Sequence, residues 1–427
     1  MPETPDSRAR LSAVMLTHGQ WEFTARCLQS LRDDLAAGME LVLVDNGSTD
    51  GTPERARWEV DAAARLTILE NHVNLGFPAG CNLGIAKAQG EFLLFLNNDL
   101  VLPRGGIARL LSHLESPPGA GLVGPRSNRV AGEQCLPSVD YDQESLEGYE
   151  ECAARLASAN AGRASESARL IGFCLLVRRA VIERIGGFDP IFGIGNFEDD
   201  DFCLRARLAG FRLLRAEDVL VHHFGGRTFK AAGIDRDRAV LANWEVFKEK
   251  WGLPRDRTVQ RFYAQPDFDH LAFVPEDHRL PLEPQPPPLE ERRAFNFLLH
   301  PRAGDPGWEQ AVRDYLGAFT ADDDVALLVR LGPDDGGDRI LDRLAAIVAA
   351  GRPDGGASRD PTPRLVTLDL PLRPGEEMGL YRLAGAVLGG ASSLPPGPKR
   401  LAEIAGCPIL ESGGVGALRA AAARRED

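Results

Sequence analysis

The sequence predicts an α/β protein whose N-terminal part contains a mostly parallel sheet flanked by helices and whose C-terminal part forms a second, smaller α/β domain. Three observations favour this fold class. Short apolar runs alternate with helical patterns, which is typical of parallel strands covered on both faces. Several runs end in polar residues, where α/β sheets place ligands. A proline-rich stretch then divides the chain, and the alternation resumes after it.

Six runs with strand character fall in the N-terminal part, and helical patterns separate them. The helical stretches include WEFTARCLQSL (21–31) and PAGCNLGIAKAQ (78–89), the second closed by Gly90. Because most of these runs lack an alternating polar face, we expect the strands to be buried on both sides. The runs are LSAVML (11–16), LVLVDN (41–46), LTILEN (66–71), EFLLFLNND (91–99), LIGFCLLV (170–177) and FRLLRAEDVLVHHF (211–224).

The same patterns predict the domain boundaries. Residues 1–264 form the first α/β domain, and within it residues 126–168 break the rhythm and are interpreted as an insert that faces the substrate. Residues 265–289 are rich in proline and have little periodicity, so they are predicted to be a semi-rigid linker. Residues 290–427 form the smaller domain.

The composition is that of a folded globular protein, and it excludes several partners. Hydrophobic residues make up 44% of the 427 residues, and the net charge of -13 opposes general binding to nucleic acid or anionic lipid. The seven cysteines form no C-x-x-C pair, which favours a reducing compartment, so we predict a cytoplasmic protein. The sequence has no signal-peptide pattern and no apolar run near the roughly 18 residues of a membrane span. Any membrane contact is expected to be peripheral, at the inner face.

Two acidic residues that follow predicted strands are candidates for ligand contact. Asp45, in VDNGSTDGT, can accept hydrogen bonds from a ribose or a base, or it can form an Asx turn or cap a helix. Asp99, in LNNDLVL, is a carboxylate flanked by amides, which suits a hard divalent cation if a substrate phosphate supplies further oxygens. A plain turn is the competing explanation for Asp99.

A histidine pair, His222 and His223, ends the last predicted strand of the first domain. Because side chains alternate along a strand, the two imidazoles face opposite ways and only one can point into a site. A neutral imidazole beside a carboxylate suits a manganese-like ion. A structural role is the alternative for either histidine.

Four consecutive acids, at 198–201 in NFEDDDF, precede a helical pattern. Acids in a first helical turn interact favourably with the helix dipole, and Asp201 can pair with Arg205 at the i, i+4 spacing. Each such contact stabilises by only about 0.3 to 1 kcal/mol, which leaves repulsion among the other carboxylates unexplained. Clustered carboxylates raise one another's pKa, and a general base is kept poised in this way.

Four segments together resemble the family 2 glycosyltransferases of the GT-A fold over roughly residues 10–250. They are VDNGSTDGT, NLGFPAGCNLGIAKAQGEFLLFLNNDLVL, GFDPIFGIGNFEDDDFCLRARLAGF and VLVHHFGGRTF. The resemblance implies an inverting glycosyltransferase of the hexosyltransferase type, which takes a sugar from a nucleoside-diphosphate sugar with the help of Mn²⁺ or Mg²⁺. It also implies a glycan, lipid-linked glycan or protein acceptor, in the synthesis of bacterial surface polysaccharide or glycoprotein.

Residue roles follow from the resemblance by position. Asp199 is implied as the catalytic base, which takes the proton from the acceptor hydroxyl. Asp99 and His222 are implied at the metal, with His223 as the alternative to His222. Contacts with the nucleotide sugar are implied for Thr17, Asp45, Asn82 and Asn98.

The chain departs from the family patterns at several positions. Asn97 stands at the first position of the D-x-D motif, and Cys81 stands where many relatives carry arginine. The C-terminal domain resembles half of a GT-B, family 4 transferase through PGEEMGLYRLAGAVLGG and RLAEIAGCPILE. There Gly385 replaces a common Asp, and Leu401 replaces the donor-binding Glu. We therefore expect a docking, oligomerisation or acceptor-presenting module rather than a second active site.

Two other functions compete with this interpretation. A nucleotidyltransferase would need a glycine-rich phosphate loop with Arg or Lys after the first strand, and VMLTHGQWEF has none. A catalytically inactive relative that binds a glycan or a partner would not need the Glu-Asp pair, Asp99 or His222.

Overall fold

The structure is a computed structural model that describes most of the chain as two compact units, Met1–Leu282 and Glu283–Asp427. The described residues are 10–225, 236–264, 271–282, 287, 289, 293–302, 307–331, 337–350, 362–368, 372, 376–389, 394, 396–410 and 414–423. Parts of two predicted features lie outside them: residues 265–270, 283–286 and 288 of the linker, and residues 226–229 of the last family motif. In the C-terminal motifs, residues 374, 375, 390 and 411 also lie outside.

One sheet organises the first unit. Its described strands are β1 Leu11–Thr17, β2 Glu40–Asn46, β3 Arg65–Asn71, β4 Phe92–Asn97, β5 Leu100–Val101, β6 Ala120–Ser127, β7 Ala164–Glu166, β8 Cys174–Arg178 and β9 Arg212–His223. The strand order is β3-β2-β1-β4-β8-β6-β9-β5, with β7 paired to β9. Strands β1 to β4 pair in parallel, whereas β8 runs antiparallel to both of its neighbours.

Helices cover both faces of this sheet. The described helices of this unit are α1 Trp21–Ser30, α2 Arg32–Ala36, α3 Thr52–Glu59, α4 Gly76–Lys87, α5 Gly106–Glu115, α6 Tyr149–Ala159, α7 Arg179–Ile185, α8 Glu198–Leu208, α9 Arg236–Lys250, α10 Val259–Ala264 and α11 Pro275–His278. Side chains of the apolar strands pack into two cores, because alternate side chains along a strand point to opposite faces of the sheet. In β1, Ala13 and Met15 join one core, and Val14 and Leu16 join the other.

Helix α4 packs closely on β1 because two glycines face the strand. A Cβ atom at Gly84 would lie 2.2 Å from Val14 Cγ1, and one at Gly80 would lie 2.8 Å from Leu16 Cδ2. Gly80 and Gly84 lie four residues apart on one helix face, while Val14 and Leu16 lie on one strand face. The absence of two side chains therefore sets the distance of α4 from the sheet.

The second unit contains a parallel five-stranded sheet in its described residues. The strands are β10 Phe295–Leu299, β11 Val325–Arg330, β12 Arg364–Leu368, β13 Ala386–Leu388 and β14 Ile409–Leu410, in the order β12-β11-β10-β13-β14. The helices are α12 Gly307–Ala318, α13 Gly337–Ala350, α14 Glu376–Leu383, α15 Pro396–Ala405 and α16 Gly414–Ala423. Buried residues form one core on each face of the sheet.

The predicted fold class is confirmed: the chain is α/β, with a mostly parallel sheet first and a smaller parallel sheet after it. The predicted 126–168 insert contains α6 and β7, and β7 pairs antiparallel with β9. Part of the predicted linker belongs to the first unit, where Leu280 is buried and pairs with Gly186. Among the described helices, none combines the length and apolar character that a bilayer crossing requires.

Candidate active site

The candidate residues of the first unit collect at one edge of its sheet. Strands β1, β2 and β4 are parallel, so Thr17, Asp45 and Asn97 end them at the same edge. Strand β8 runs the other way and begins there, since the Asn97 amide donates to the carbonyl of Phe173. Strand β9 ends at this edge with His223, whose ring stacks on Phe173 with 5.3 Å between ring centroids.

Asp45 is held between the ends of the first two strands. Its Oδ1 accepts a hydrogen bond from Thr17 Oγ1 at 2.9 Å and another from the Ser48 hydroxyl. Its Oδ2 accepts from the Ser48 amide at 2.9 Å, a local contact three residues along the chain, one residue further than in an Asx turn. Thr17 and Asp45 are both buried. Their predicted nucleotide contact stays a prediction.

Two other residues predicted to bind the nucleotide sugar contact the protein itself. The Asn82 amide group donates to the Phe188 carbonyl and accepts from the Phe188 N–H, both at 2.8 Å. The Asn98 Nδ2 donates to Thr24 Oγ1 at 2.9 Å and to the Gly19 carbonyl at 3.3 Å. Asn82 thus uses both halves of its amide on one residue, which leaves less capacity for a ligand.

The structure places His223, rather than His222, beside Asp99. His223 Nε2 lies 3.2 Å from Asp99 Oδ1, and Asp99 Oδ2 accepts from the Gly225 N–H at 3.1 Å. The short β5 strand sets this neighbourhood, because it pairs antiparallel with the end of β9. His223, the alternative to His222, is therefore the histidine that contacts Asp99, while a metal role for either histidine stays a prediction.

His222 faces the opposite way, as strand alternation requires. Its Nδ1 lies 2.7 Å from the Tyr141 hydroxyl, and its side chain is 1% exposed. Nε2 of His222 is buried and has no hydrogen-bond partner among the residues that the structure describes. Burial lowers the pKa of His222 to about 4, with smaller contributions from His223 and Arg129.

The chemistry of Asp99 and His223 fits a divalent cation. The His223 Nδ1–H donates to the Arg129 carbonyl at 2.8 Å, so in the neutral imidazole Nε2 presents its lone pair to the Asp99 carboxylate. A histidine whose other nitrogen donates to a backbone carbonyl is the usual arrangement of a metal ligand. Mg²⁺ and Mn²⁺ sites that bind a phosphate substrate take few protein ligands and complete their coordination shell with phosphate oxygens and water. Within the described residues there is no cluster of three or more His, Cys, Asp or Glu side chains that could hold a metal.

The acid cluster opens α8, and its last member is neutralised. The fully buried Asp201 carboxylate lies 2.8 Å from Arg205 Nε and 2.6 Å from Lys250 Nζ, and it accepts from the Trp251 indole at 3.1 Å. Burial alone would raise the pKa of Asp201, but Lys250 and Arg205 outweigh it and hold the pKa below its ordinary value. The predicted i, i+4 pair with Arg205 is confirmed, and Asp201 is structural.

Asp200 has a cation of its own. The Arg169 Nε lies 2.8 Å from Asp200 Oδ1, and the Arg169 guanidinium lies over the Tyr263 ring at 4.1 Å from its centroid. Burial raises the pKa of Asp200 to about 7 despite the opposing charge of Arg169. A pocket beside this ion pair is lined by Ala168, Arg169, Asp200, Leu204, Arg207, Phe247, Phe262 and Tyr263.

Asp199 differs from Asp200 and Asp201 because it makes no ion pair with any residue that the structure describes. It is 7% exposed, and its carboxylate is oriented by backbone: Oδ2 accepts from the Gly172 N–H at 2.9 Å, and Oδ1 from the Asp200 N–H at 2.8 Å. Glu198 also lacks a cation, but burial and then the charges of Asp199 and Asp200 raise its pKa well above the usual range. The structure therefore separates four similar acids into distinct environments.

Sequence patterns did not reveal three residues that build this site. Gly172 orients Asp199, Arg169 neutralises Asp200, and Asn243 on α9 donates to the backbone that precedes the acids. Arg169 lies 31 residues from its partner and Asn243 lies 47 to 51 residues from its partners, so no local spacing connects them. Gly172, between Ile171 and Phe173, reads as part of an apolar strand.

A comparison with protein-family models matches residues 12–186 to Glycosyl transferase family 2. The resemblance to this family is confirmed for that part of the chain, which contains Thr17, Asp45, Asn82 and Asp99. Asp199, His222 and His223 lie beyond the matched residues. The comparisons do not test the resemblance of the second unit to a family 4 transferase, which stays a prediction.

Two curated relatives from Mycobacterium tuberculosis carry glycosyltransferase names. The chain is 28% identical over 223 residues to a pre-mycofactocin glycosyltransferase, an alignment that covers 52% of this chain and 44% of the relative. It is 28% identical over 265 residues to an N-acetylglucosaminyl-diphospho-decaprenol L-rhamnosyltransferase, covering 54% of this chain and 79% of the relative. The chain thus spans less than half of the first relative and most of the second.

Two solved structures align with part of the chain at low similarity. A mannosyltransferase from Pyrobaculum calidifontis, in complex with GDP-Man and Mn²⁺, aligns over 61% of this chain and 69% of its own, at 20% identity and a TM-score of 0.40. GalNAc-T7, with UDP, GalNAc and Mn²⁺, aligns over 62% and 52% at 17% identity and a TM-score of 0.44.

Proposed function

We propose that this protein is an inverting glycosyltransferase that moves a sugar from a nucleoside-diphosphate sugar to an acceptor hydroxyl, with Asp199 as the base. The observation that supports the proposal is that Asp199 is bound by different groups from Asp200 and Asp201. Asp200 and Asp201 are paired with cations, whereas Asp199 is held by two backbone N–H groups at the ligand edge of the sheet. The glycosyltransferase family match over residues 12–186 supports the reaction class.

In the proposed reaction Asp199 takes the proton of the acceptor hydroxyl. The acceptor oxygen attacks the anomeric carbon from the face opposite the leaving group, so a new carbon–oxygen bond forms as the bond to the diphosphate breaks. The products are a glycoside of inverted configuration and a nucleoside diphosphate. The N–H groups of Gly172 and Asp200 fix the carboxylate, which keeps the base in position before the acceptor arrives.

Asp99 and His223 are the residues that would hold a divalent metal in this proposal. A bound Mn²⁺ or Mg²⁺ supplies charge stabilisation to the departing diphosphate. Asp99 contributes a carboxylate whose other oxygen is fixed by Gly225, and His223 contributes Nε2 because Arg129 occupies Nδ1. The mannosyltransferase and GalNAc-T7 structures that contain Mn²⁺ are consistent with such a site in this protein.

The donor is proposed to lie across the carboxyl ends of β1, β2 and β4. Asp45, fixed by Thr17 and Ser48, stands at this edge together with Asn98. Open sheets of this kind bind nucleotides outside the carboxyl ends of their strands. In this proposal Asn82, on α4, supports the site indirectly, because its side-chain amide donates a hydrogen bond to the Phe188 carbonyl.

The acceptor and setting are proposed from the relatives. A glycan, lipid-linked glycan or protein acceptor in bacterial surface polysaccharide or glycoprotein synthesis agrees with the decaprenol-linked substrate in the name of one relative. All seven cysteines are free, which favours a reducing, cytoplasmic setting, with contact at the inner face of the membrane where a lipid-linked acceptor would lie. The second unit is proposed to dock, oligomerise or present the acceptor.

A donor panel tests the proposal. The full chain is incubated with UDP-, GDP- and dTDP-sugars in the presence of Mn²⁺, and release of the nucleoside diphosphate is measured. We expect release from at least one donor class, with a thermal shift on addition of the matching free diphosphate. If no donor is turned over and no diphosphate shifts the unfolding temperature, the chain is a non-catalytic relative.

A further inference from the structure

The backbone that leads into the acid cluster adopts an unusual conformation. Between the short 3-10 turn Pro190–Phe192 and α8, positive φ angles occur at Gly193 (58°), Gly195 (137°), Asn196 (81°) and Phe197 (70°). Two of these residues carry a Cβ atom, for which the left-handed region is unfavourable. Such conformations persist only where the surrounding structure holds them, and they concentrate at functional sites.

Asn243 supplies hydrogen bonds that help to hold this segment. It lies on α9, is 1% exposed, and its Nδ2 is 2.8 Å from the Phe192 carbonyl, 2.8 Å from the Gly195 carbonyl and 3.0 Å from the Asn196 carbonyl. The Phe192 carbonyl also accepts from the Gly195 N–H at 3.2 Å, and the Gly195 carbonyl also accepts from Asn196 Nδ2 at 2.7 Å. Asn243 therefore adds a donor group from a distant helix, whose two N–H bonds are shared among three carbonyls of the segment.

The same helix also anchors the last residue of the segment. The Phe197 side chain is buried, and its ring lies 5.5 Å from that of Trp244 and 5.5 Å from that of Phe247, measured between centroids. Trp244 follows Asn243 in the chain, and Phe247 lies one turn later. Helix α9 thus contacts both the backbone and the side chain of the segment.

The segment determines where α8 begins, and hence where Asp199 lies. The Phe197 carbonyl accepts from the Asp201 N–H at 2.9 Å, which forms the first turn of α8, and no side chain caps that helix. Asp199 sits within this turn, and its Oδ2 reaches the Gly172 N–H of a different element at 2.9 Å. A change of φ at positions 196–197 would rotate the first turn and move the carboxylate away from Gly172.

We infer that Asn243 is a positioning residue for Asp199: it fixes the strained 193–197 segment so that the Asp199 carboxylate stays bonded to the Gly172 amide. Asn243 touches no substrate in this account and acts through the segment. The inference deepens the proposed function, because it assigns a residue that keeps the base in place. Its geometric part does not require that function.

The test uses the full chain with Asn243→Ala and measures both geometry and activity. Hydrogen–deuterium exchange at the Gly172 amide reports its hydrogen bond to Asp199. In the variant we expect the exchange rate to rise about 10-fold, which corresponds to the loss of roughly one hydrogen bond. Asp199→Ala is the positive control for Gly172. Glu249→Ala, an exposed change on the same helix, is the negative control. With the donor found in the panel, kcat is expected to fall about 100-fold at unchanged KM for the donor.

Asn243→Ser, which keeps one hydroxyl donor, is expected to give intermediate values for both exchange and kcat. Exchange at the Gly172 amide equal to that of the wild type would overturn the inference. A rise in amide exchange across the whole sheet in both Asn243 variants would also overturn it, because a residue with a merely structural role would produce that result. If Gly172 exchange rises but the wild type turns over no donor, the positioning stands and the proposed function fails.

Discussion

The Asp99 carboxylate lies 3.2 Å from His223 Nε2, although the residues are more than 120 positions apart in the chain. The antiparallel pairing of β5 with the end of β9 brings them together, with Leu100 opposite His223. His222, the next residue, is turned towards Tyr141 instead. Variants of His222 and His223 can therefore be compared to determine which histidine binds the proposed metal.

His223→Asn is expected to weaken the apparent affinity for Mn²⁺ in donor turnover. Loss of a direct ligand should raise the half-saturating Mn²⁺ concentration at least about 10-fold, because even changes in outer-shell partners cost 10- to 100-fold. His222→Asn is the control and should leave the Mn²⁺ requirement unchanged, because His222 faces away from Asp99. The measurement is nucleoside diphosphate release against Mn²⁺ concentration. A shift in His222→Asn alone would return the ligand role to His222.

Asn82→Ala is expected to lower stability without changing donor affinity. The substitution leaves the N–H and carbonyl of Phe188 without their partner, which costs about 1 to 3 kcal/mol for a buried group. Urea unfolding of the first unit measures the loss, and Lys87→Ala on the exposed face of the same helix is the control. An increase in KM for the donor at unchanged stability would instead support direct contact with the nucleotide sugar.

Asp200→Asn is expected to change how stability depends on pH. In the folded protein burial raises the pKa of Asp200 to about 7, so between pH 4 and 7 the folded state binds a proton that the unfolded state releases. This carboxyl therefore makes the free energy of unfolding fall as pH rises through that window. Because asparagine does not titrate, the free energy of unfolding of Asp200→Asn relative to that of the wild type should rise with pH. The rise is at most about 1.4 kcal/mol per unit of pKa shift.

Urea unfolding of both proteins at several pH values between 4 and 8 measures this difference. Leu241→Ala, at an exposed position of α9 that carries no titratable group, is the control and should differ from wild type by a constant amount. A constant difference for Asp200→Asn as well would mean that Asp200 does not titrate in this range.

Much of the fold could be predicted from sequence, because its signals are local. The fully apolar stretch of β4 predicts a strand buried on both faces, and Asp201 with Arg205 predicts an ion pair from spacing alone. The polar ends of β2 and β4 also indicate the ligand edge. These features depend on neighbours within a few residues.

The remaining details depend on contacts between distant segments. Alternation along β9 implies that only one histidine faces the site, but the choice depends on its pairing with β5, which the sequence does not encode locally. The three carbonyls bound by Asn243 belong to a segment whose positive φ angles, at 193 and 195–197, no local sequence pattern indicates. Likewise, Asn82 matches a family position for donor binding, yet its amide is occupied by Phe188, which lies over 100 residues away.

Asp199→Asn tests the central claim most directly. The amide keeps the size of the carboxylate and can still accept from the Gly172 N–H, but it cannot take a proton from the acceptor hydroxyl. The measurement is the rate of sugar transfer with the donor identified in the panel, together with the thermal shift produced by the free nucleoside diphosphate. The account predicts an unchanged thermal shift and a loss of transfer of about 100- to 10,000-fold. Near-normal transfer by Asp199→Asn would contradict it and move the role of base to another carboxylate of the cluster.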